Sequence, residues 1–279
     1  RRMKTLLTRS ISGLLFVGLV ILSLIVDKAY SLLLFTVVVG LGLFEFHRLF
    51  STHLKQKNNW PVTVISGLIF FLILSFPSFA NQLDALNDYS SYRIFWPLPI
   101  VLFALLHALT KNGISLLLFL FGLMYISIPF FLASEIHFND TSALPKILGV
   151  FLLVWTNDTF AYLSGNLFGK HKLYEKISPK KTWEGFAGGL VFTLLMGYIL
   201  DTYVFNEFLY RDHFWLAAAV LVSPAAVIGD LFESGLKRKM KVKDTGSIMP
   251  GHGGILDRFD AILFAIPVFY IWDLIITLY

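Results

Sequence analysis

Nine apolar stretches, each close to the length of a membrane-crossing helix, dominate this sequence and constrain its fold more than any other feature. A helix needs about 20 apolar residues to cross the hydrocarbon core of a bilayer. We therefore predict an all-α polytopic integral membrane protein with about nine transmembrane helices. The predicted spans are 10–26, 30–46, 60–80, 94–110, 113–133, 145–166, 184–205, 213–236 and 260–279.

The composition agrees with a membrane protein. Charged residues make up 15% of the chain, whereas soluble domains average about 25%. The 28 Phe residues would need a larger soluble core than this chain can build. These features exclude a disordered chain, a basic nucleic-acid-binding domain and an ordinary cytosolic enzyme. The lack of Cys excludes disulfides and thiolate metal sites.

The distribution of basic residues predicts the orientation, because short cytoplasmic loops carry an excess of Lys and Arg. Alternate loops, counted from the N-terminus, hold most of the 23 Lys and Arg residues. The intervening loops hold only Lys28, Arg93, Lys146 and Arg211. We therefore expect a cytoplasmic N-terminus and an external C-terminus.

The loops differ between the two halves of the chain. Residues 1–140 are expected to form about five N-terminal membrane helices with a scaffold, dimer or lipid-facing role. Residues 141–279 are expected to form the catalytic membrane helices, with long basic cytoplasmic loops at 167–183 and 237–259. Glycines within spans, such as Gly188 and Gly189, are expected to allow close helix packing.

Five acidic residues lie in or beside predicted spans, where a bilayer disfavours charge. An ionised carboxylate at the centre of a spanning helix costs roughly 2.5–3.5 kcal/mol, so each should have a partner. All five are expected at one depth, in the cytoplasmic third of the membrane. They are Asp158 in the sixth span, Asp230 and Glu233 in the eighth, and Asp257 and Asp260 at the start of the ninth.

This acidic cluster has two interpretations. Helical spacing places Glu233 and Lys237 on the same face as Asp230, so salt bridges could simply hold helices together. The carboxylates outnumber the cations expected at that depth, however, and the excess charge favours a metal ion. Oxygen ligands suit Mg²⁺, which prefers one or two carboxylates plus water and substrate phosphates. Glu45 is a further membrane-edge carboxylate, expected to cap a helix or pair with Arg48.

The segment from Ser234 to Asp260 has the features of a polyphosphate site. Clustered Lys and Arg residues supply positive charge, and the Gly-His-Gly-Gly run at 251–254 lets backbone N–H groups approach phosphate oxygens. A helix starting near Asp257 adds its N-terminal dipole. A basic run beside a membrane is also the usual anchor to lipid headgroups, but anchoring alone does not require these glycines, the histidine or the aspartates.

The order and spacing of these residues closely resemble the signature of the phosphatidate cytidylyltransferase family, also called CDP-diacylglycerol synthases. The signature reads Ser234-x-Leu-Lys-Arg-x4-Lys-Asp-x-Gly-x3-Pro-x-His-Gly-Gly-x2-Asp-Arg-x-Asp260. The blocks 157–162 and 178–185 also resemble this family, and Met249 replaces an expected Leu, Ile or Phe. Spans one to five resemble it only in hydropathy.

The resemblance implies a reaction in which CTP and phosphatidic acid give CDP-diacylglycerol and pyrophosphate for phospholipid biosynthesis. It implies that Asp230 and Asp257 hold Mg²⁺. The acidic cluster adds Glu233 and Asp260 as candidate metal ligands, so the site is compatible with a second cation. Because CTP comes from the cytoplasm and the lipid from the leaflet, we expect an active site facing the cytoplasm at the inner membrane. The expected partners are membrane lipid and a second copy of the chain, without nucleic acid.

The roles of the remaining residues follow from that reaction. The phosphate of phosphatidic acid is already ionised near pH 7, so no strong base is needed. His252 is therefore expected to donate a hydrogen bond to phosphate or to shape the loop, and Lys237 and Arg238 complete the catalytic set with Asp230 and Asp257. The expected substrate-binding residues are Asn157, Asp158, Ser178, Lys180, Lys181, Lys243, Asp244, Gly253, Gly254 and Arg258.

Other functions remain as alternatives. Lys180 and Lys181 could serve only as a membrane anchor. A CTP-dependent polyprenol or phytol kinase has a related membrane fold but should lack the complete signature block. A CDP-alcohol phosphotransferase should carry an Asp-Gly-x2-Ala-Arg pattern, which is absent. A cation transporter could use intramembrane acids, but transport sites tend to lie near the midplane.

Overall fold

The computed structural model describes residues 2–53, 60–82, 113–142, 144–205, 213–248 and 253–278. Most of them are helical. The α-helices are α1 (Arg2–Val26), α2 (Lys28–His53), α3 (Trp60–Gln82), α4 (Gly113–Gly122), α5 (Ile128–Phe138), α6 (Lys146–Phe168), α7 (Trp183–Ile199), α8 (Phe214–Lys239) and α9 (Leu256–Leu278). The π-helical segments Leu123–Ser127 and Leu200–Val204 join α4 to α5 and extend α7.

Within the described residues, 7 helical segments are long and apolar enough to cross a membrane. They are α2, α3, the continuous α4–α5 segment, α6, α7 with its extension, α8 and α9, whereas the apolar part of α1, Ser12–Val26, is shorter. The predicted all-α polytopic membrane fold is thus confirmed. The predicted span 94–110 lies outside the described residues, so the total of nine and the orientation stay predictions.

The chain divides into two compact units. The first comprises Arg1–Asn139 and Asp244–Asp257, and the second comprises Asp140–Lys243 and Arg258–Tyr279. In the first unit, α2 packs against α1, α3 and α5, and buried phenylalanines fill its core. In the second unit, α7 packs against both α6 and α8. The scaffold and catalytic roles expected for 1–140 and 141–279 stay predictions.

Helices α6 and α7 approach each other closely at glycines. A Cβ on Gly185 would lie 2.8 Å from the Ala161 carbonyl oxygen, and one on Gly189 would lie 3.0 Å from Asn157 Oδ1. A Cβ on Gly188 would overlap the side chain of Ser164. The prediction that Gly188 and Gly189 allow close helix packing is confirmed, and this contact fixes Asn157 and its neighbours relative to α7.

The basic loop between α6 and α7 contains a short antiparallel hairpin, which the sequence did not predict. Strand β1 (Lys172–Tyr174) pairs with β2 (Ser178–Thr182), and Lys172 lies opposite Thr182. The Thr182 hydroxyl accepts a hydrogen bond of 3.1 Å from the Gly185 N–H and so caps the start of α7. The hairpin therefore leads directly into a membrane helix.

Candidate functional site

Four of the five acidic residues expected to converge lie together in the second unit. Helices α8 and α9 approach closely there, since a Cβ on Gly229 would lie 2.5 Å from the Asp260 carbonyl oxygen. The Asp260 carboxyl group lies within electrostatic range of Glu233, Asp230 and Asp158. In the part of the chain that the structure describes, no three His, Cys, Asp or Glu side chains form a ready-made metal site. These four acidic side chains thus lie near one another, but they do not converge on a single point as the ligands of a bound metal ion do.

Asp230 forms an accessible ion pair with the hairpin. Its Oδ2 atom lies 2.7 Å from Lys181 Nζ, and the two side chains are 33% and 25% exposed. Its Oδ1 atom accepts a hydrogen bond of 3.2 Å from Ser234 Oγ. Two candidate site residues from distant parts of the sequence therefore meet in the structure, and their partial exposure leaves the carboxylate within reach of a soluble cation.

A second ion pair is buried one turn further along α8. Lys237 Nζ lies 2.9 Å from Glu233 Oε1, and the side chains are 11% and 2% exposed. This pair confirms the prediction that Glu233 and Lys237 share a helix face. Lys237 was expected to contact phosphate and Glu233 a metal, but here each neutralises the other. Either residue would have to leave this pair before it could bind a phosphate or a metal.

Asn157 joins α6 to α8 inside the second unit. Its side chain is fully buried, and Ser223 Oγ donates a 2.7 Å hydrogen bond to its Oδ1 atom. Its Nδ2 group donates to Asp158 Oδ1 over 3.5 Å. Asp158 itself is exposed. This position favours a supporting role for Asn157, which orients Asp158, and leaves Asp158 as the accessible member of the pair.

The hairpin presents its basic residues differently. Lys180 is exposed, whereas Lys181 turns toward Asp230. Arg238, near the end of α8, donates from Nε to the Ile177 carbonyl oxygen over 3.3 Å and so holds the hairpin turn. Ser178, which begins β2, is half-buried beside that turn. Lys181 and Arg238 therefore connect the hairpin to α8 through direct contacts.

Asp257 organises the signature loop in the first unit. Its Oδ2 atom accepts hydrogen bonds from the N–H groups of Gly254 (2.8 Å) and Thr245 (2.9 Å). The Thr245 hydroxyl lies 3.1 Å from the same atom. Gly253 has a φ of 87°, and a Cβ there would lie 2.7 Å from Asp257 Oδ2. Glycine is required at this position because both the backbone conformation and the close approach disfavour a side chain.

These contacts revise the interpretation of the glycine run. The N–H groups at 251–254 were expected to meet phosphate oxygens, but the Gly254 N–H donates to Asp257 instead. Gly251 and His252 lie outside the described residues, so the expectation for His252 stays a prediction. Lys243, Asp244 and Arg258 are exposed at the two ends of the loop.

Comparison with known proteins now identifies the family. A model of the cytidylyltransferase family matches residues 7–275. The chain belongs to this family. Relatives named phosphatidate cytidylyltransferase occur in Staphylococcus saprophyticus (44% identical over 164 residues), Staphylococcus haemolyticus (43% over 163) and Staphylococcus epidermidis (42% over 167). Each alignment covers 57% of this chain and 61% of the relative, so the chain spans about three fifths of the relatives' length.

Membership of the cytidylyltransferase family agrees with the resemblance found in the signature. The sequence nevertheless missed two features of the site. Thr245 occupies an unspecified position of the signature, so the pattern contains no signal for its contact with Asp257. The partners of Glu45 were also missed, because they lie about 200 residues away in the chain and no local pattern connects them.

Proposed function

We propose that this cytidylyltransferase-family protein transfers the CMP group of CTP to phosphatidic acid, giving CDP-diacylglycerol and pyrophosphate. Family membership and the names of the relatives support this activity. The observation that carries the proposal is the contact of Lys181 with Asp230, because it joins a block that resembles the family to a carboxylate that the resemblance assigns to Mg²⁺. That contact provides a carboxylate and a basic group side by side.

The chemistry of the transfer requires little from the protein beyond binding and charge neutralisation. A phosphate oxygen of phosphatidic acid forms a new bond to the α phosphorus of CTP. The bond between that phosphorus and the bridging oxygen of the β phosphate breaks, and pyrophosphate leaves. The attacking oxygen is already ionised near pH 7, so His252 is assigned to phosphate binding or loop structure rather than to proton removal.

The residues present fit Mg²⁺ as a cofactor by their chemistry. Asp230, Asp257 and Asp260 offer carboxylate oxygens, which Mg²⁺ prefers together with water and substrate phosphates. Asp230 already has a cationic partner, Lys181, at an accessible position. The resemblance assigns Asp230 and Asp257 to Mg²⁺ binding, and Asp158, Glu233 and Asp260 could serve a second cation. Bound Mg²⁺ would neutralise phosphate charge; removal of Mg²⁺ with EDTA should abolish activity, and Mg²⁺ should restore it.

Basic side chains are assigned to the remaining phosphate charge. Arg238 and Lys243 are exposed and suited to the β and γ phosphates of CTP. Lys237 can join them only if it leaves Glu233, with which it is paired. Lys180 and Lys181 are assigned to a phosphate of either substrate. Charge-assisted hydrogen bonds of this kind are among the stronger polar contacts in proteins.

The proposed setting is the inner membrane, with the site facing the cytoplasm and a homodimer as the assembly. A single Cys can be placed at Glu175, Ser247 or Thr141, all exposed in a chain without native Cys. Impermeant thiol reagents applied to intact cells should label only position 141. Labelling of 175 or 247 from outside would overturn the proposed orientation and the route by which CTP arrives.

The activity is tested by pyrophosphate release from CTP and phosphatidic acid in detergent. Omission of either substrate should abolish release, and CDP-diacylglycerol should accumulate in equal amount. A polyprenol kinase would instead release CDP and phosphorylate an isoprenoid alcohol without forming pyrophosphate. A transporter would release nothing from CTP. Either result would overturn the proposed function.

A further inference from the structure

Glu45 is a buried carboxylate for which sequence patterns predict only a minor role. It lies in α2, within the first unit, and its residue is 2% exposed. The sequence predicted that it caps a helix or pairs with Arg48. The structure shows the cap, although the capped backbone belongs to a segment distant in the sequence. Arg48 is exposed, on the solvent or lipid side of α2.

Three donors from the signature loop converge on this carboxyl group. The Ile255 N–H donates to Oε1 over 3.0 Å, and the Leu256 N–H donates to Oε2 over 3.1 Å. The Thr245 hydroxyl lies 3.1 Å from Oε2. Leu256 is the first residue of α9, so Glu45 satisfies backbone N–H groups that a helix start leaves without partners.

Two glycines of the loop are shaped to receive Glu45. A Cβ on Gly246 or on Gly254 would overlap the Glu45 carboxyl group. Both glycines belong to the signature, and for Gly254 the sequence alone favoured a role in phosphate approach. Their close packing on Glu45 gives both glycines a structural role, since any larger residue would push the loop away from α2.

Thr245 connects Glu45 to Asp257. Its hydroxyl lies 3.1 Å from Glu45 Oε2 and 3.1 Å from Asp257 Oδ2, so its single proton can be donated to either carboxyl group. The Thr245 N–H donates to Asp257 as well. The loop is thus held between two carboxyl groups, one from α2 and one from the start of α9, and a displacement at Glu45 reaches Asp257 through one residue.

We propose that Glu45 is a positioning residue that holds the signature loop, and with it Asp257, in the conformation that binds the nucleotide. It acts through Thr245 and the backbone of 254–256 and contacts neither substrate. The inference rests on the proposed function for its kinetic consequence, because that function assigns Asp257 and Lys243 to the CTP side of the reaction. The hydrogen bonds of Glu45 to the loop are independent of that assignment.

The test compares Glu45→Gln with Glu135→Gln in the full chain. Gln keeps the size of Glu but turns an amide NH₂ toward N–H donors. Glu135 is a matched control, since it is also a glutamate of a membrane helix in the first unit, bonded to Ser78 and Asn139 rather than to the loop. Kinetics for each substrate and amide hydrogen exchange are measured on both variants.

Glu45→Gln should lower kcat/KM for CTP by about tenfold or more, the value of a hydrogen bond to a charged group. The KM for phosphatidic acid should change by less than about twofold, because the loop that Glu45 holds is assigned to the CTP side of the reaction. Exchange should rise in peptides covering 245–257 only. Glu135→Gln should leave all three quantities near wild type. Unchanged kcat/KM for CTP, or an equal loss for both substrates with exchange raised throughout, would overturn the proposal.

A second pair of variants keeps the proposal testable if Glu45→Gln does not fold. Thr245→Val removes the hydroxyl between the two carboxyl groups, and Thr245→Ser retains it. Val should lower kcat/KM for CTP several-fold while Ser stays near wild type, and equal behaviour of the two would refute the link. If the wild type releases no pyrophosphate, the proposed function fails, whereas the exchange data still decide whether Glu45 holds the loop.

Discussion

Two carboxylates of the second unit and two of the first are held by different means. In the second unit, Asp230 and Glu233 are each paired with a lysine, Lys181 or Lys237. In the first unit, Asp257 accepts hydrogen bonds from backbone N–H groups, as does Glu45. A lysine is a flexible cation that can exchange partners, whereas a backbone N–H can leave only if the loop changes conformation.

This difference separates two roles for a carboxylate, one in binding cations and one in holding the loop. A lysine-paired carboxylate can exchange its lysine for another cation while the fold persists, and the released lysine can then meet a phosphate. A carboxylate held by N–H groups defines the shape of the loop and is costly to disturb, since a buried donor left without a partner costs about 1–3 kcal/mol. We therefore expect the accessible pair of Asp230 and Lys181 to affect chemistry first, and the N–H-paired groups to affect structure as well.

The largest effect is expected for Asp230→Asn and Asp257→Asn. Each should reduce pyrophosphate release to below about a tenth of wild type, because a neutral amide is tolerated in the membrane but cannot replace a carboxylate as a ligand. Asp257→Asn should also lower the melting temperature in detergent, whereas Asp230→Asn should not. Activity above that level in both variants would remove them from the proposed metal site. Equal melting temperatures would remove the distinction between lysine-paired and N–H-paired carboxylates.

The buried pair of Glu233 and Lys237 should matter next, through stability. Lys237→Met leaves the Glu233 carboxylate buried without its cation and should destabilise the protein by about 3–5 kcal/mol. The double variant Glu233→Gln with Lys237→Met should recover most of that loss. Unfolding in mixed micelles measures both. Glu233→Gln alone should retain more activity than Asp230→Asn, and equal losses would make Glu233 a direct metal ligand.

Lys181 and its neighbour Lys180 give a smaller and more selective prediction. Lys181→Ala should lower kcat/KM for one substrate by about tenfold, since it removes a charged partner next to Asp230. Lys180→Ala should have the smaller effect, because Lys180 is exposed and salt screens its contact with a phosphate. The assay is run in neutral detergent with each substrate varied. A change below threefold for both lysines would assign both to membrane anchoring.

The smallest effect is expected at Thr182, where the acceptor of a backbone N–H is a neutral hydroxyl rather than a carboxylate. Thr182→Ala removes the acceptor for the Gly185 N–H and should destabilise the protein by about 1 kcal/mol. Thr182→Ser keeps the hydroxyl and should be close to wild type. A melting-temperature series on the three proteins tests this. If Thr182→Ala loses activity but keeps full stability, then Thr182 acts by positioning the hairpin rather than by capping α7.

The membrane helices were predictable because their signal is local. Apolar length alone places eight of the predicted spans on helices of the described chain, and residue spacing on α8 correctly placed Glu233 beside Lys237. Residue spacing does not predict the meeting of Lys181 with Asp230, because the two residues lie on different elements. Only their chemistry connects them in the sequence, since both suit a site that binds phosphate and metal.

The contacts that shape the loops could not be predicted from the sequence, for physical reasons. The strands of the hairpin are 3 and 5 residues long and lie in a lysine-rich segment without apolar alternation, so no periodicity marks them. The partners of Glu45 depend on tertiary packing between α2 and a loop far along the chain. Gly254 beside it was assigned to phosphate, because a glycine-rich loop suggests a ligand more readily than it suggests a buried carboxyl group.

The small hairpin bears on the entropy of substrate binding. An isolated hairpin of this size is at best marginally stable in water. Here Arg238 donates a hydrogen bond to the turn. At the base of the hairpin, the Trp183 N–H donates to the His171 carbonyl oxygen, and Glu184 accepts from the Lys170 N–H. The backbone under Lys180 and Lys181 is therefore ordered during folding, so a phosphate that docks there need only restrict the two side chains.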